Sequence, residues 1–432
     1  MSLFNVSKLF PVRFTLALSL AVGILITYSV GIAEHNSYMG YKPISIDFTY
    51  GLLFFLSCLV TATMMPRAIH IPSDYFCFVY SIFALIPYFS LYKIRGDVDT
   101  LTYVLNFLIL SLPLVTIRIT RTYTTKIRMI AAFSQKSILK IGALFIIAIT
   151  FYGLVKGAEF GGFSLESSYE RRMSGRTTFS AGSIMAYANG MAINGLGPYI
   201  AFLAALRKNK ALTGITFLVG VAFFYIIGTK APVLNLVLAH LLGLAARNNK
   251  IKDTHNILFA LILLLFLCSF SELFFYDYSI IADFFIRRSF TVPPLLLSAY
   301  FDLINNNTGT SWGGFSGIND ARKITFFVGE YIFGYDQMNA NTNAFIYELT
   351  SNGVGAFAFT ITLVTTFFFL LNSIYKKTKD PALLYIGFLY SILIVEQSAT
   401  TALLTSGVGL LLFLNYSTKR PKVTEMPHDK NN

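Results

Sequence analysis

Long apolar runs alternate with short polar breaks along almost the whole chain. A helix needs roughly 20 apolar residues to cross about 30 Å of hydrocarbon. On that measure the pattern predicts twelve helices, near Phe14 to Ile32, Phe48 to Met65, Tyr75 to Tyr92, Leu101 to Ile117, Ile138 to Val155, Ile184 to Leu206, Ala211 to Gly228, Ala231 to Ala246, Asn256 to Phe275, Val354 to Ile374, Ala382 to Val395 and Thr401 to Asn415. Two breaks are longer than the rest, residues 156–183 and 276–353. The expected architecture is all-α: one integral membrane domain over residues 1–432, with an arginine-rich loop at 156–183 and a large loop at 276–353. Within the large loop, Ile281 to Phe290 is apolar but carries Arg287 and Arg288, and Pro293-Pro294 are expected to break it. After them Leu295, Leu296, Leu297, Tyr300, Phe301 and Ile304 have the spacing of an amphipathic interfacial helix, ended by Asn305-Asn306-Asn307.

Composition agrees with a membrane protein. The 432 residues are 55% hydrophobic and 13% charged, with 42 Phe and a mean hydropathy of +0.62, which no soluble single-core protein approaches. With the N-terminus inside, the inner segments collect 22 of the 34 Lys and Arg and 5 of the 21 Asp and Glu. The opposite orientation would put Arg118, Arg121, Lys126, Arg128 and Lys136 outside in one loop, against the positive-inside rule. The net charge of +13 therefore reports topology and contact with anionic membrane lipids, and calls for no nucleic-acid partner. Gly31-Ile32-Ala33 has the small residues of a cleavage site, but the preceding apolar run is long for a signal peptide, so an uncleaved anchor is expected. Cys58, Cys77 and Cys268 lie inside apolar runs without metal-ligand spacing.

The candidate chemistry lies in the outer segments. Tyr169 to Arg176 holds Arg171, Arg172 and Arg176 between two apolar runs. Such a set of planar, permanently charged forks is what holds a diphosphate at a bilayer edge, although Glu159, Glu166 and Glu170 are also there to balance solvated loop charges. Lys230, in the tight turn Gly228 to Pro232, lies on the same expected side, where it can reach either lipid headgroups or a lipid diphosphate. Asn339 to Asn343 offers a row of amides ahead of Phe345, Tyr347 and Glu348, which fits sugar hydroxyls and ring faces as well as loop turns. In helix six, Asn189, Gly190, Asn194, Gly195, Gly197 and Pro198 point to close helix approach and a kink.

No phosphate-binding glycine loop, paired-histidine zinc signature or nucleophile elbow is present, and neither a metal nor another cofactor is expected. Of the five histidines, only His35 falls in an outer segment. A carboxylate is then the better base on that face, from among Glu170, Asp302, Asp320 and Glu348.

These features resemble the O-antigen polymerase (Wzy-type) family of bacterial inner membranes. The resemblance rests on the layout of about a dozen helices with two prominent outer loops. It also rests on Tyr169 to Arg176, Gly228-Thr229-Lys230-Ala231-Pro232, Arg287-Arg288-Ser289-Phe290 with its prolines, and Asn341-Thr342-Asn343-Ala344-Phe345. Arg171 and Gly182 enclose ten residues, as described for outer loops of some members; in the second loop Lys323 stands in the arginine's place before Gly334. The resemblance implies a GT-C-like glycosyltransferase, multi-pass with both termini cytoplasmic, which joins oligosaccharide repeat units carried on undecaprenyl diphosphate into O-antigen or a related surface polysaccharide. A chain-length regulator is a protein partner it leaves open. On that reading Arg171, Arg172, Arg176, Lys230, Arg287 and Arg288 hold diphosphate, Glu170, Glu348 or Asp302 assists the acceptor hydroxyl, and Asn341, Asn343 and Tyr347 meet sugar. Two alternatives are an O-antigen ligase, which generally has an outer-loop histidine, and a lipid-linked oligosaccharide flippase, which would need more intramembrane charge than His240, Glu272 and Glu396.

Overall fold

The computed structural model describes residues 10–123, 125, 127, 130, 132–157, 171, 174–175, 177–180, 182–228, 230–308, 310–315, 323–336 and 338–419. Its elements, in chain order, are α1 (Phe10–Thr27, continued by a π turn Tyr28–Ile32), α2 (Phe48–Met64), α3 (Pro72–Tyr80), a π turn Ser81–Leu85, α4 (Ile86–Ser90), α5 (Thr100–Ile119), β1 (Phe133–Ser134), α6 (Gln135–Gly157), α7 (Ile184–Gly190), a π turn Met191–Leu196, α8 (Gly197–Leu206), α9 (Lys210–Ile227), α10 (Ala231–Arg247), α11 (Thr254–Tyr276), a π-helical segment Ala282–Thr291, α12 (Val292–Asn305), β2 (Thr310–Ser311), β3 (Gly314–Phe315), α13 (Ile324–Phe333), α14 (Ala344–Thr378), α15 (Pro381–Glu396), α16 (Ala399–Leu403), α17 (Val408–Tyr416) and β4 (Thr418–Lys419). Among the described residues, six helices are long and apolar enough to cross a membrane: Val12–Ile32, Thr100–Ile119, Gln135–Lys156, Lys210–Ile227, Ile251–Tyr276 and Ala344–Thr378. Three more, Phe48–Met64, Pro232–Arg247 and Pro381–Glu396, are apolar but shorter. The chain is an all-α membrane protein.

It divides into two compact units. The first comprises residues 1–124, 252–372 and 391–399, and the second residues 125–251, 373–390 and 400–432.

In the first unit, polar contacts gather at the two ends of the helices. At one end Arg13 donates to the Met65 carbonyl (2.6 Å), Arg121 pairs with Asp74 (3.2 Å), the Ile69 amide donates to the Lys252 carbonyl, and Asn372 donates to Ser73 and Thr120. At the other, Lys93 pairs with Asp47 (3.0 Å), Arg95 with Asp302 (2.8 Å), and Asn36 donates to Asp283 (3.3 Å). The stretch Val12–Ile32 runs from the first set to the second, a rise of about 30 Å at roughly 1.5 Å per residue, which matches the hydrocarbon thickness of a bilayer. Between the ends the core is aromatic: Phe76, Tyr80, Phe345 and Phe368 meet edge-on, stacked or tilted, and Tyr50, Tyr92 and Tyr103 meet stacked or tilted.

Helix α12 departs from the sequence expectation. Pro293 and Pro294 do not break the segment; they occupy the first turn of α12, where the preceding π segment passes directly into it and its wider turns make room for the rings. Its residues from Pro294 to Phe301 are all buried, so the helix is a core element rather than an interfacial one. Tyr300 donates to the Ala340 carbonyl (2.8 Å) and Phe301 meets Tyr88. The Asn run does end it, with Asn307 in a left-handed conformation (φ +50°). Trp312-Gly313 forms the turn of the β2–β3 hairpin, and Asp320, one of the candidate bases, lies outside the described residues.

In the second unit the small residues of the sixth run do allow close approach. Cβ atoms added at Gly190 and Gly195 would sit 2.8 Å from the Thr405 carbonyl oxygen and 2.3 Å from that of Ser406. Those carbonyls belong to a break: the last apolar run is two helices, α16 and α17, separated at Leu404-Thr405-Ser406-Gly407 with Gly407 at φ +77°. Irregular backbone inside a bilayer is tolerated where protein buries it, and Ser406 is buried against the glycine-lined face. Pro198 follows the π turn and enters α8 in its first turn, so the missing donor is absorbed by the wider turn.

Candidate functional site

A cavity of about 270 Å³ in the first unit collects the largest set of sequence-predicted polar residues. The π-helical segment supplies Arg288, the extended stretch before α14 supplies Asn339, Asn341, Thr342 and Asn343, and the last residue of α15 supplies Glu396. Its apolar walls include Phe83, Ala84, Leu296, Leu297 and Val395. Phe83 lies seven residues inside the end of α4, about 10 Å along the helix axis, so the cavity is sunk below the polar end that carries Lys93 and Arg95.

The local sequence explains the geometry. Asn343 caps α14: its Oδ1 accepts from the backbone amides of Phe345 (3.1 Å) and Ile346 (2.9 Å), which satisfies donors that the first turn leaves open. That bond fixes the side chain with its amide nitrogen turned away from the helix. Asn343 Nδ2 and Thr342 Oγ1 are both buried without a hydrogen-bond partner among the described residues, and both residues line the cavity. Buried polar atoms are seldom left unmatched, so this wall is built to hydrogen-bond something else, with the Asn343 amide donating and the Thr342 hydroxyl free to donate or accept. Arg288 and Glu396, the cavity's cation and carboxylate, form no ion pair with each other or with any described residue. Arg288 is exposed and lines the cavity, whereas its neighbour Arg287 is engaged by other side chains. Arg287 Nε contacts the Asp283 carboxylate (2.8 Å) and backbone carbonyl (3.1 Å), and a terminal nitrogen reaches the Met39 sulfur (3.1 Å). It ties the segment before α2 to the π helix. Burial among these groups pushes the Tyr41 hydroxyl up to about 12, with Arg287 and Thr291 pulling the other way.

The remaining predicted residues fall elsewhere. Asp302 pairs with Arg95; burial holds its carboxyl above the usual carboxylate range and the Arg95 bond offsets part of that rise. Glu348 accepts from Asn352 one turn along α14 (2.8 Å) and does not line the cavity, and neither does the half-buried Tyr347. In the second unit Arg171 is buried with its guanidinium over Phe224 (5.5 Å) and Tyr225 (6.0 Å), a cation–π arrangement, while Lys230 is exposed ahead of α10. Glu170, Arg172 and Arg176 lie outside the described residues.

Sequence reasoning had placed Arg288, Asn341 and Asn343 among the binding residues, and the structure brings these three together. It missed Glu396 and Thr342. Glu396 was legible only as a carboxylate ending an apolar run, and nothing in that run shows that the residue shares a cavity with Arg288. No protein-family model, curated protein or solved structure matches the chain.

Proposed function

We propose that the chain is a polytopic glycosyltransferase of the inner membrane that polymerises oligosaccharide repeat units carried on undecaprenyl diphosphate, working at the periplasmic face. On this reading all twelve apolar runs span or enter the bilayer, both termini are cytoplasmic, and the arrangement is GT-C-like. The observation that carries the proposal is the composition of the sunken cavity: an arginine and a carboxylate not paired with each other, beside the orphaned Asn343 amide and Thr342 hydroxyl, on apolar walls. Amides, a hydroxyl and an apolar platform together recognise sugars.

The chemistry follows from the groups present. The acceptor hydroxyl oxygen attacks the anomeric carbon of the lipid-linked donor, and the bond from that carbon to the diphosphate oxygen breaks. Glu396 takes the hydroxyl proton, and Arg288 neutralises the charge gathering on the departing diphosphate. Asn341, Asn343 and Thr342 hold the sugar so that hydroxyl and carbon meet. Arg171, Arg172, Arg176 and Lys230 remain candidates for a diphosphate of the second lipid substrate.

Glu396→Gln and Arg288→Gln, expressed in a strain lacking the chain, test this through the ladder of surface polysaccharide lengths. Both are expected to collapse the ladder to a single repeat unit, while Glu348→Gln leaves it intact. A normal ladder from both cavity variants would refute the site. Loss of all surface sugar would indicate a flippase, and full-length polymer retained on its lipid carrier would indicate a ligase.

A further inference from the structure

Among the described residues, the end of the first unit that carries Arg13 gathers four arginines around two carboxylates. Arg13 feels the charges of Arg67, Arg118 and Arg121 together. Among the described residues, the carboxylates facing this group are Asp74, which is buried and pairs with Arg121, and Asp253, which acts on His255. Arg13 is only 8% exposed; one terminal nitrogen donates to the Met65 carbonyl, and its Nε is buried without a partner. It lines a cavity of about 50 Å³ together with Arg67 and His255. Arg118 donates to the Thr63 carbonyl at the end of α2. Holding several guanidinium charges partly out of water is costly unless an anion joins them.

An apolar groove of about 470 Å³ ends at the same place. It is lined by α2 from Leu53 to Met64 and by α5 from Tyr103 to Val115, and Val115 is one turn before Arg118. Leu56, Val60, Leu108, Leu112 and Val115 are exposed along it. The eleven or twelve helical steps along these stretches rise about 17 Å, close to half of the roughly 30 Å hydrocarbon core. The groove is therefore the length of one leaflet and is headed by arginines.

We propose that this is a binding site for one anionic phospholipid, with its phosphate on Arg67 and Arg118, supported by Arg13, and one acyl chain along the α2–α5 groove. The site lies at the end of the unit away from the polysaccharide cavity and serves no step of the transfer. It anchors the first unit in the arginine-side leaflet, and it does not depend on the glycosyltransferase reading.

The test uses the full chain in nanodiscs containing phosphatidylcholine and phosphatidylglycerol, with retained lipid counted by native mass spectrometry. Phosphatidylglycerol is expected to be retained over phosphatidylcholine by roughly tenfold or more. The double variant Arg67→Gln/Arg118→Gln should abolish that preference and Arg67→Lys/Arg118→Lys should largely keep it, which separates charge from misfolding. Filling the groove with Leu108→Trp should displace phosphatidylglycerol while inorganic phosphate still binds, weakly, to the wild-type and groove variants alike. Equal retention of both lipids by the wild type, or phosphatidylglycerol binding indifferent to both the arginine and groove changes, would overturn the proposal. So would inorganic phosphate binding as tightly as the lipid.

Discussion

Gly353 supports a prediction whose size can be worked from the backbone. It interrupts α14 at φ +79°, ψ −174°, a conformation that only glycine adopts readily. The β2–β3 hairpin seats against this point: the Val354 amide donates to the Trp312 carbonyl (3.0 Å) and the Thr310 hydroxyl to the Thr350 carbonyl (2.7 Å). A Cβ at Gly353 would lie 2.6 Å from the carbonyl carbon and oxygen of Gly313 and 2.9 Å from the Trp312 oxygen. All three are backbone atoms, so no rotamer change relieves the clash. Backbone strain of about 1–3 kcal/mol and an overpacking cost of about 1–3 kcal/mol place Gly353→Ala at roughly 2–6 kcal/mol destabilising. Two other glycines calibrate the effect. Gly334 ends α13 at φ +72° with open space around it, so Gly334→Ala should cost only about 1–2 kcal/mol. Gly355 is helical and faces open space, so Gly355→Ala should be neutral or stabilising by up to about 1 kcal/mol. Thermal midpoints of the three detergent-purified variants should fall in the order 353 below 334 below 355. If Gly353→Ala melts with Gly355→Ala, the seating of the hairpin on the helix break is wrong.

Arg95→Ala leaves a half-buried carboxylate at Asp302 without its cation; because the pair is partly exposed, the expected loss is about 1–2 kcal/mol rather than the larger cost of a fully buried pair, read as a lowered thermal midpoint. Because burial raises the Asp302 carboxyl above its unfolded value, the native state holds that proton more tightly, so this residue's contribution is fully present below the ordinary carboxylate range and is lost as pH rises through the raised value. Asp302→Asn should accordingly flatten the fall in midpoint with rising pH across that window. Asn343→Ala removes the α14 cap and should cost about 1 kcal/mol, whereas Asn343→Asp keeps the accepting oxygen and the stability but loses the cavity-facing amide, so its midpoint should hold while polymer length drops.

Much of the fold is written in the apolar runs, because lipid enforces backbone self-satisfaction and leaves helices as the available form. Each of the twelve predicted runs is helical over most of its length. Where reading failed, a local rule met a tertiary exception. Pro293-Pro294 read as a breaker, yet the same residues sit where the π segment passes into the first turn of α12. Thr401 to Asn415 read as one span, since no local signal shows that the backbone at Ser406 would be buried against Gly195. The site was legible in part for a related reason. Arg288 and the Asn341-Thr342-Asn343 stretch stand out as polar groups in apolar surroundings, but Arg287 is equally conspicuous and turns out to pair with Asp283. Glu396 is distant in sequence from both, so its presence in the cavity emerges only from the folded chain.

The most direct test of the cavity's role is turnover by the purified chain in proteoliposomes with a synthetic undecaprenyl-diphosphate oligosaccharide, following released undecaprenyl diphosphate and product length together. The wild type should release one lipid diphosphate for each bond formed. Arg288→Gln and Glu396→Gln should each slow release by about a hundredfold or more while melting as the wild type does. Unchanged release by both variants would contradict the assignment of these two residues, and absence of release by the wild type would contradict the activity itself.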